Sequence, residues 1–199
     1  MITSLDKLDL NKRYTYADYL NWQLEEMVEL IKGKVFKMSP APGRRHQAIS
    51  SRLHISIGHY LIGQKCEIYS APFDVRLPLP SDGKKNGHID TVVQPDLCII
   101  CDPAKLDERG CLGAPDWIIE ILSKSTAQKD LKDKFELYQS AGVREYWIVH
   151  PAEGSVLPYF LNEEGKYALP RPNPFVEGEQ VPVYVFEDLE VDLGEVFRE

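Results

Sequence analysis

The run Trp117-Ile118-Ile119-Glu120-Ile121-Leu122 constrains this chain more than any other stretch. A continuous apolar, β-branched segment of this length is expected of a central strand covered on both faces. Side chains alternate along a strand, so Glu120 shares a face with Ile118 and Leu122, while Trp117, Ile119 and Ile121 take the other. A glutamate between isoleucines in a buried strand is expensive unless it is paired or holds a metal. Any fold that buries this strand must therefore give Glu120 a partner.

Two further charged residues interrupt apolar patterns. Asp96 follows Pro95 in a second apolar run, Val92 to Cys101. Lys134 lies on a helix expected to run from a capping box at Ser125-Thr126-Ala127-Gln128 to about Ala141, with Gly142 as its stop. At 100° per residue Ala127, Leu131, Tyr138 and Ala141 form an apolar stripe, and Lys134 falls close to its centre. A snorkelling lysine belongs at a stripe's edge, so function is the favoured reading for Lys134. Asp130, one turn earlier, is placed to pair with it. Two carboxylates and a lysine at core-facing positions suit a hard divalent cation, Mg²⁺ or Mn²⁺, that also engages substrate phosphate.

The remaining segments read as an α/β chain. A hairpin is expected at Val28 to Ile31 and Val35 to Met38, turning at Lys32-Gly33-Lys34. A helix follows from about Arg44 to Ile62, with Ile49, Leu53 and Ile57 at helical spacing. Glu67 to Leu77 reads as one strand, and Leu79 to Gly87 as a polar loop. Arg144 to Val149 is another strand, Val156 to Leu161 and Lys166 to Leu169 an edge, and the segment from Pro170 a Pro-rich tail. The sum is one mixed central β-sheet flanked by helices, with an N-terminal β-hairpin.

Composition narrows the functional classes. No apolar run approaches the ~20 residues of a membrane span, and the first residues lack the features of a signal peptide, so a cytoplasmic protein without a membrane partner is expected. The net charge of −8 opposes nucleic-acid binding, although Arg44-Arg45 and Lys84-Lys85 form local basic clusters. Four cysteines in a chain of 199 residues do not suggest a disulfide scaffold. Cys98 and Cys101 lie on a strand and point to opposite faces, which disfavours zinc and leaves small core residues as the reading.

Several stretches together resemble one known family. They are Val28-Glu29-Leu30-Ile31-x-Gly33, Gln94-Pro95-Asp96-Leu97 and the block from Gly113 to Thr126. Asp130-x-x-x-Lys134-x-x-x-Tyr138 and Gly142-Val143-x-Glu145-Tyr146-Trp147-Ile148-Val149 continue the match. The chain resembles the Uma-two family of restriction endonucleases, within the PD-(D/E)xK nuclease superfamily. The resemblance implies a single restriction-endonuclease-like domain over 1–199, with its core at about 13–170 and a C-terminal tail at 171–199. It also implies a Mg²⁺- or Mn²⁺-dependent endonuclease acting on DNA, with Asp96 and Glu120 as metal ligands and Lys134 as the active-site lysine. That lysine usually lies two residues after the strand glutamate, where this chain has Leu122. Cutting both strands favours a homodimer.

Two departures from the family pattern are Lys124, which competes for the lysine role, and His150, which stands before Pro151. Glu29 is either an additional ligand or an exposed hairpin glutamate. His46 either contacts phosphate or water, or is a partly buried structural histidine. The competing functional reading is a catalytically silent nuclease fold acting as a binding or accessory module.

Overall fold

The computed structural model describes residues 2–38, 42–79, 89–123 and 129–199, with the side chains of 129–131 outside the description. After a short helix α1 (Tyr16–Tyr19), strands β1 (Val28–Ile31) and β2 (Lys34–Lys37) form the expected hairpin. Lys32 and Gly33 both take positive φ, 49° and 80°, which is what a tight two-residue hairpin demands. Helix α2 (Arg44–Leu61) follows, and then β3 (Glu67–Ser70), β4 (Val75–Arg76), β5 (Val92–Val93) and β6 (Leu97–Ile100). The chain continues through β7 (Leu106–Asp107), β8 (Gly110–Leu112), β9 (Trp117–Ile121), α3 (Lys129–Ala141) and β10 (Glu145–His150). It ends with β11 (Ser155–Leu161), β12 (Tyr167–Ala168), β13 (Phe175–Val176), β14 (Gln180–Val183), β15 (Phe186–Asp192) and α4 (Leu193–Phe197).

The mixed central sheet is present, with strand order β12-β11-β10-β9-β6-β3 and β13 added beside β11. Within it β9 and β10 are parallel, while β6 runs antiparallel to β9. A second sheet, β2-β1-β5-β4-β8-β7, carries the hairpin. This separates segments that read as continuous. Glu67 to Leu77 is split between the two sheets, the chain leaving β3 at Ser70 and turning at Ala71-Pro72, where proline has no N–H for a ladder. Val92 to Cys101 is split in the same way: β5 pairs with β1 and β4, β6 pairs with β3 and β9, and Pro95-Asp96 forms the joint.

Each face of the central sheet has its own core. Trp117, Ile119, Ile121, Trp147 and Val149 pack on one face with Ile49, Leu53, Ile57 and Leu61 of α2. The segment after Pro170 joins this core through Val181, Val191, Leu193, Val196 and Phe197. On the other face Ile118, Tyr146 and Ile148 pack with Leu137 and Tyr138 of α3 and with Ile31, Val75 and Val93 of the second sheet. The predicted alternation of Trp117 to Leu122 is thus realised, and Glu120 points toward α3 and the hairpin.

Helix α3 ends as expected, with Gly142 in the left-handed region at φ 84°. The capping box proposed for Ser125 to Gln128 and the Lys84-Lys85 cluster lie outside the described residues. The cysteines need a correction. Cys66 and Cys101 are joined in a disulfide, because they extend the antiparallel β3–β6 register by one pair and so face each other. Cys98 and Cys111 are buried thiols, as small core residues would be.

Candidate active site

Asp96 stands at the joint where the chain passes from one sheet to the other. β6 pairs with β9 only as far as Leu97 opposite Ile119. Beyond that point the Asp96 side chain substitutes for the ladder, and its Oδ2 accepts the Ile121 N–H at 2.7 Å. This bond ties Asp96 to the strand that carries Glu120. Its other oxygen, Oδ1, faces His46 Nε2 at 3.3 Å. His46 sits in the first turn of α2 with a largely buried ring. Burial opposes its charge, but the hydrogen bond and charge of Asp96, with smaller help from Ile121 and Glu120, raise its pKa overall.

Glu120 is held from the opposite side by α3. Lys134 Nζ donates to Glu120 Oε1 at 3.0 Å, and the Tyr138 hydroxyl donates to the same oxygen at 2.8 Å. Lys134 and Tyr138 are four residues apart, so both fall on one face of the helix. Lys134 also reaches Glu29 Oε1 at 2.9 Å, and that oxygen accepts the Gln94 N–H at 2.9 Å as well. Burial pushes the Glu120 carboxyl well above its usual range; Lys134 opposes this, and the nearby Asp96 and Glu29 charges add to it. For Lys134, burial works against the ammonium, yet Glu120 and Glu29 raise its pKa overall. The phenol of Tyr138 is likewise raised, first by burial and then by the neighbouring carboxylates.

All these groups except Tyr138 line a single cavity of about 200 Å³, together with Ile31, Phe36, Met38, Leu122 and Tyr146. The fold therefore brings Asp96, Glu120, Lys134, Glu29 and His46 together. Glu29 is buried, contrary to the exposed alternative, because β1 is covered on both sides of its strand. At the lysine Glu29 and Glu120 are partners; the Asp130 side chain, from which a pairing with Lys134 is expected, and all of Lys124 lie outside the described residues. His150 is at the end of β10 beside Glu153, and does not line the cavity.

Three contributors went unassigned in the sequence. Tyr138 belongs to the apolar stripe by periodicity, although its spacing from Lys134 signals a shared target. Gln94 directly precedes Pro95-Asp96, but its contact with Glu29 spans 65 residues and has no local signal. Tyr146 looked like ordinary strand core.

The mixed sheet and α3 thus bring two carboxylates and a lysine to one cavity. The structure matches, with a TM-score of 0.67, a crystal structure from Anabaena variabilis described as a "putative nuclease belonging to DUF820". The match covers 92% of this chain and 97% of that one at 23% identity. Residues 16–194 match the model of the Uma2 (Uma-two) family, described as "Putative restriction endonuclease", and the chain belongs to that family. An uncharacterized protein of Synechocystis sp. is 24% identical over 155 residues, which is 76% of each chain.

Proposed function

We propose that the protein is a Mg²⁺- or Mn²⁺-dependent endonuclease that hydrolyses phosphodiester bonds in DNA, with Asp96 and Glu120 as metal ligands and Lys134 as the active-site lysine. One observation carries the reading. Asp96 and Glu120 border one cavity, with Glu120 held, among the described residues, at Oε1 alone by Lys134 and Tyr138, and Asp96 held at Oδ2 by the Ile121 N–H with Oδ1 facing His46. Among the described residues no three His, Cys, Asp or Glu side chains converge as a metal cage. Mg²⁺ needs none, since it keeps several waters and uses one or two carboxylates plus substrate phosphate. The donors are all oxygen, and a cation would relieve the crowding of Glu120 by Asp96 and Glu29. When bound, the ion supplies charge stabilisation at the phosphate and a more acidic water.

The chain's own residues do the positioning. Lys134 and Tyr138 fix Glu120 by one oxygen, so its other oxygen is aimed without further loss of rotamer freedom. For Asp96 the Ile121 N–H holds Oδ2, while His46 faces Oδ1 and orients it toward the cavity. Lys134 also keeps a positive charge at the cavity floor, where it offsets charge developing on a phosphate oxygen. The reading includes a cytoplasmic homodimer, since two sites are needed to cut two strands.

The test is nicking of supercoiled plasmid by purified protein with Mg²⁺ and Mn²⁺. Cleavage stopped by EDTA and abolished in Asp96→Ala and Glu120→Ala is the expected result. No nicking across metals, together with no Mn²⁺ binding by calorimetry, overturns the reading and leaves the silent accessory module.

A further inference from the structure

The cavity that holds the carboxylates has an apolar wall whose Ile31, Phe36 and Leu122 also pack on the core behind it. Phe36 lies directly opposite Glu29 in the β1–β2 register, so its ring is on the same face of the hairpin, one strand spacing from a site carboxylate. Ile31 and Met38 share that face by alternation, and all three line the cavity with Leu122. Phe36 is only half-buried and forms no ring pair with another aromatic among the described residues. A phosphodiester gains nothing from such a surface, whereas the face of a nucleobase does.

Two further observations agree. Of the four buried side-chain polar atoms without a partner among the described residues, three belong to cavity residues: His46 Nδ1, Gln94 Oε1 and the Tyr146 hydroxyl. These are unmet donors and acceptors lying just behind the cavity's surface. Among the described residues, cationic groups for gripping a duplex backbone are few at this wall. Lys134 is committed to Glu29 and Glu120, and Lys37, exposed at the rim, pairs with Glu26 at 3.4 Å. Bases within an intact duplex have both faces stacked and cannot use Phe36.

We propose that the β1–β2 hairpin is a nucleobase-binding wall and that the cavity accepts an unpaired nucleotide, with its base against Phe36 and its phosphodiester toward Asp96 and Glu120. The protein then prefers single-stranded or bulged strands to perfect duplex. This rests on the nuclease reading and names the form of its substrate.

The experiment measures fluorescence anisotropy of a labelled oligonucleotide as single strand, bulged duplex and perfect duplex, in EDTA and in Mg²⁺. Proteins compared are wild type, Phe36→Leu and Phe36→Trp, each checked for folding by circular dichroism. A 2-aminopurine base at the unpaired position reports stacking independently of cleavage. Wild type is expected to bind single and bulged strands more tightly than perfect duplex and to quench 2-aminopurine. Phe36→Leu should weaken that binding roughly 5- to 150-fold and lose the quenching, as removal of one base–aromatic stack does, while Phe36→Trp restores both. Perfect duplex bound as tightly as single strand, or Phe36→Leu without effect, overturns the proposal. Duplex cutting that survives in Phe36→Leu overturns the wall and leaves the nuclease reading intact; no binding or cutting of any strand overturns both.

Discussion

Replacing Lys134 by methionine removes the only cation that touches both Glu29 and Glu120 among the described residues, and leaves two largely buried carboxylates without it. The side chains of Lys134, Glu29 and Glu120 are 14%, 8% and 12% exposed. Two charge-assisted hydrogen bonds are lost, at 2.9 and 3.0 Å, each worth roughly 1.5–3 kcal/mol. That sum agrees with the ~3–5 kcal/mol typical of breaking a buried ion pair from one side. In a domain of this size the melting temperature should fall by about 10 °C or more.

The sign of the pH dependence follows from Glu120, whose folded pKa is raised by burial. A carboxyl raised on folding contributes stability below its unfolded pKa and loses it as pH rises through the folded value. Without Lys134 the folded pKa climbs further. The destabilisation of Lys134→Met should therefore be small up to about pH 7, where Glu120 ionises in the wild type, and grow as pH rises beyond it. Urea unfolding of wild type and Lys134→Met across this range measures it, and the double variant Lys134→Met/Glu120→Gln should recover part of the loss. A penalty that does not vary with pH, or one below about 1 kcal/mol, would refute the picture of a buried cation neutralising two carboxylates.

Three other changes are expected to read out separate parts of the structure. Tyr138→Phe removes one donor from Glu120 Oε1 and should cost about 1 kcal/mol in urea unfolding, with a measurable fall in metal-dependent nicking. Glu145 is raised by burial from 4.5 to about 7, against the opposing N–H donors of Val185 and the Trp147 indole. Stability should accordingly fall by about 3 kcal/mol between pH 4 and pH 8 on its account, and Glu145→Gln should flatten the profile by that amount. Gly110 has φ 113°, and a Cβ there would lie 2.2 Å from the Asp74 carbonyl oxygen. Gly110→Ala should thus lower stability by at least ~2 kcal/mol in chemical denaturation, because two backbones cannot both keep their places.

The secondary structure that bears charge is legible in the order of residues. Glu120 amid Trp117 to Leu122 required a buried strand with a partner, and Lys134 in its apolar stripe required one on a helix. Local periodicity carries that information because burial recurs every second residue on a strand and roughly every 3.6 on a helix. Tertiary structure alone decided which residues answer each charge. Glu29 is 105 residues from Lys134, and only the packing of β1 against α3 brings them to 2.9 Å. The division into two sheets at Pro72 and Pro95 was likewise decided by pairing, since the apolar runs there look continuous and hydrophobicity does not say which strand lies alongside. The bridge between Cys66 and Cys101 depended on the same pairing, because it is set by the β3–β6 register and not by cysteine spacing. Burial can be read from a chain one residue at a time; partners are settled only when distant segments compete for the same hydrogen bonds and charges.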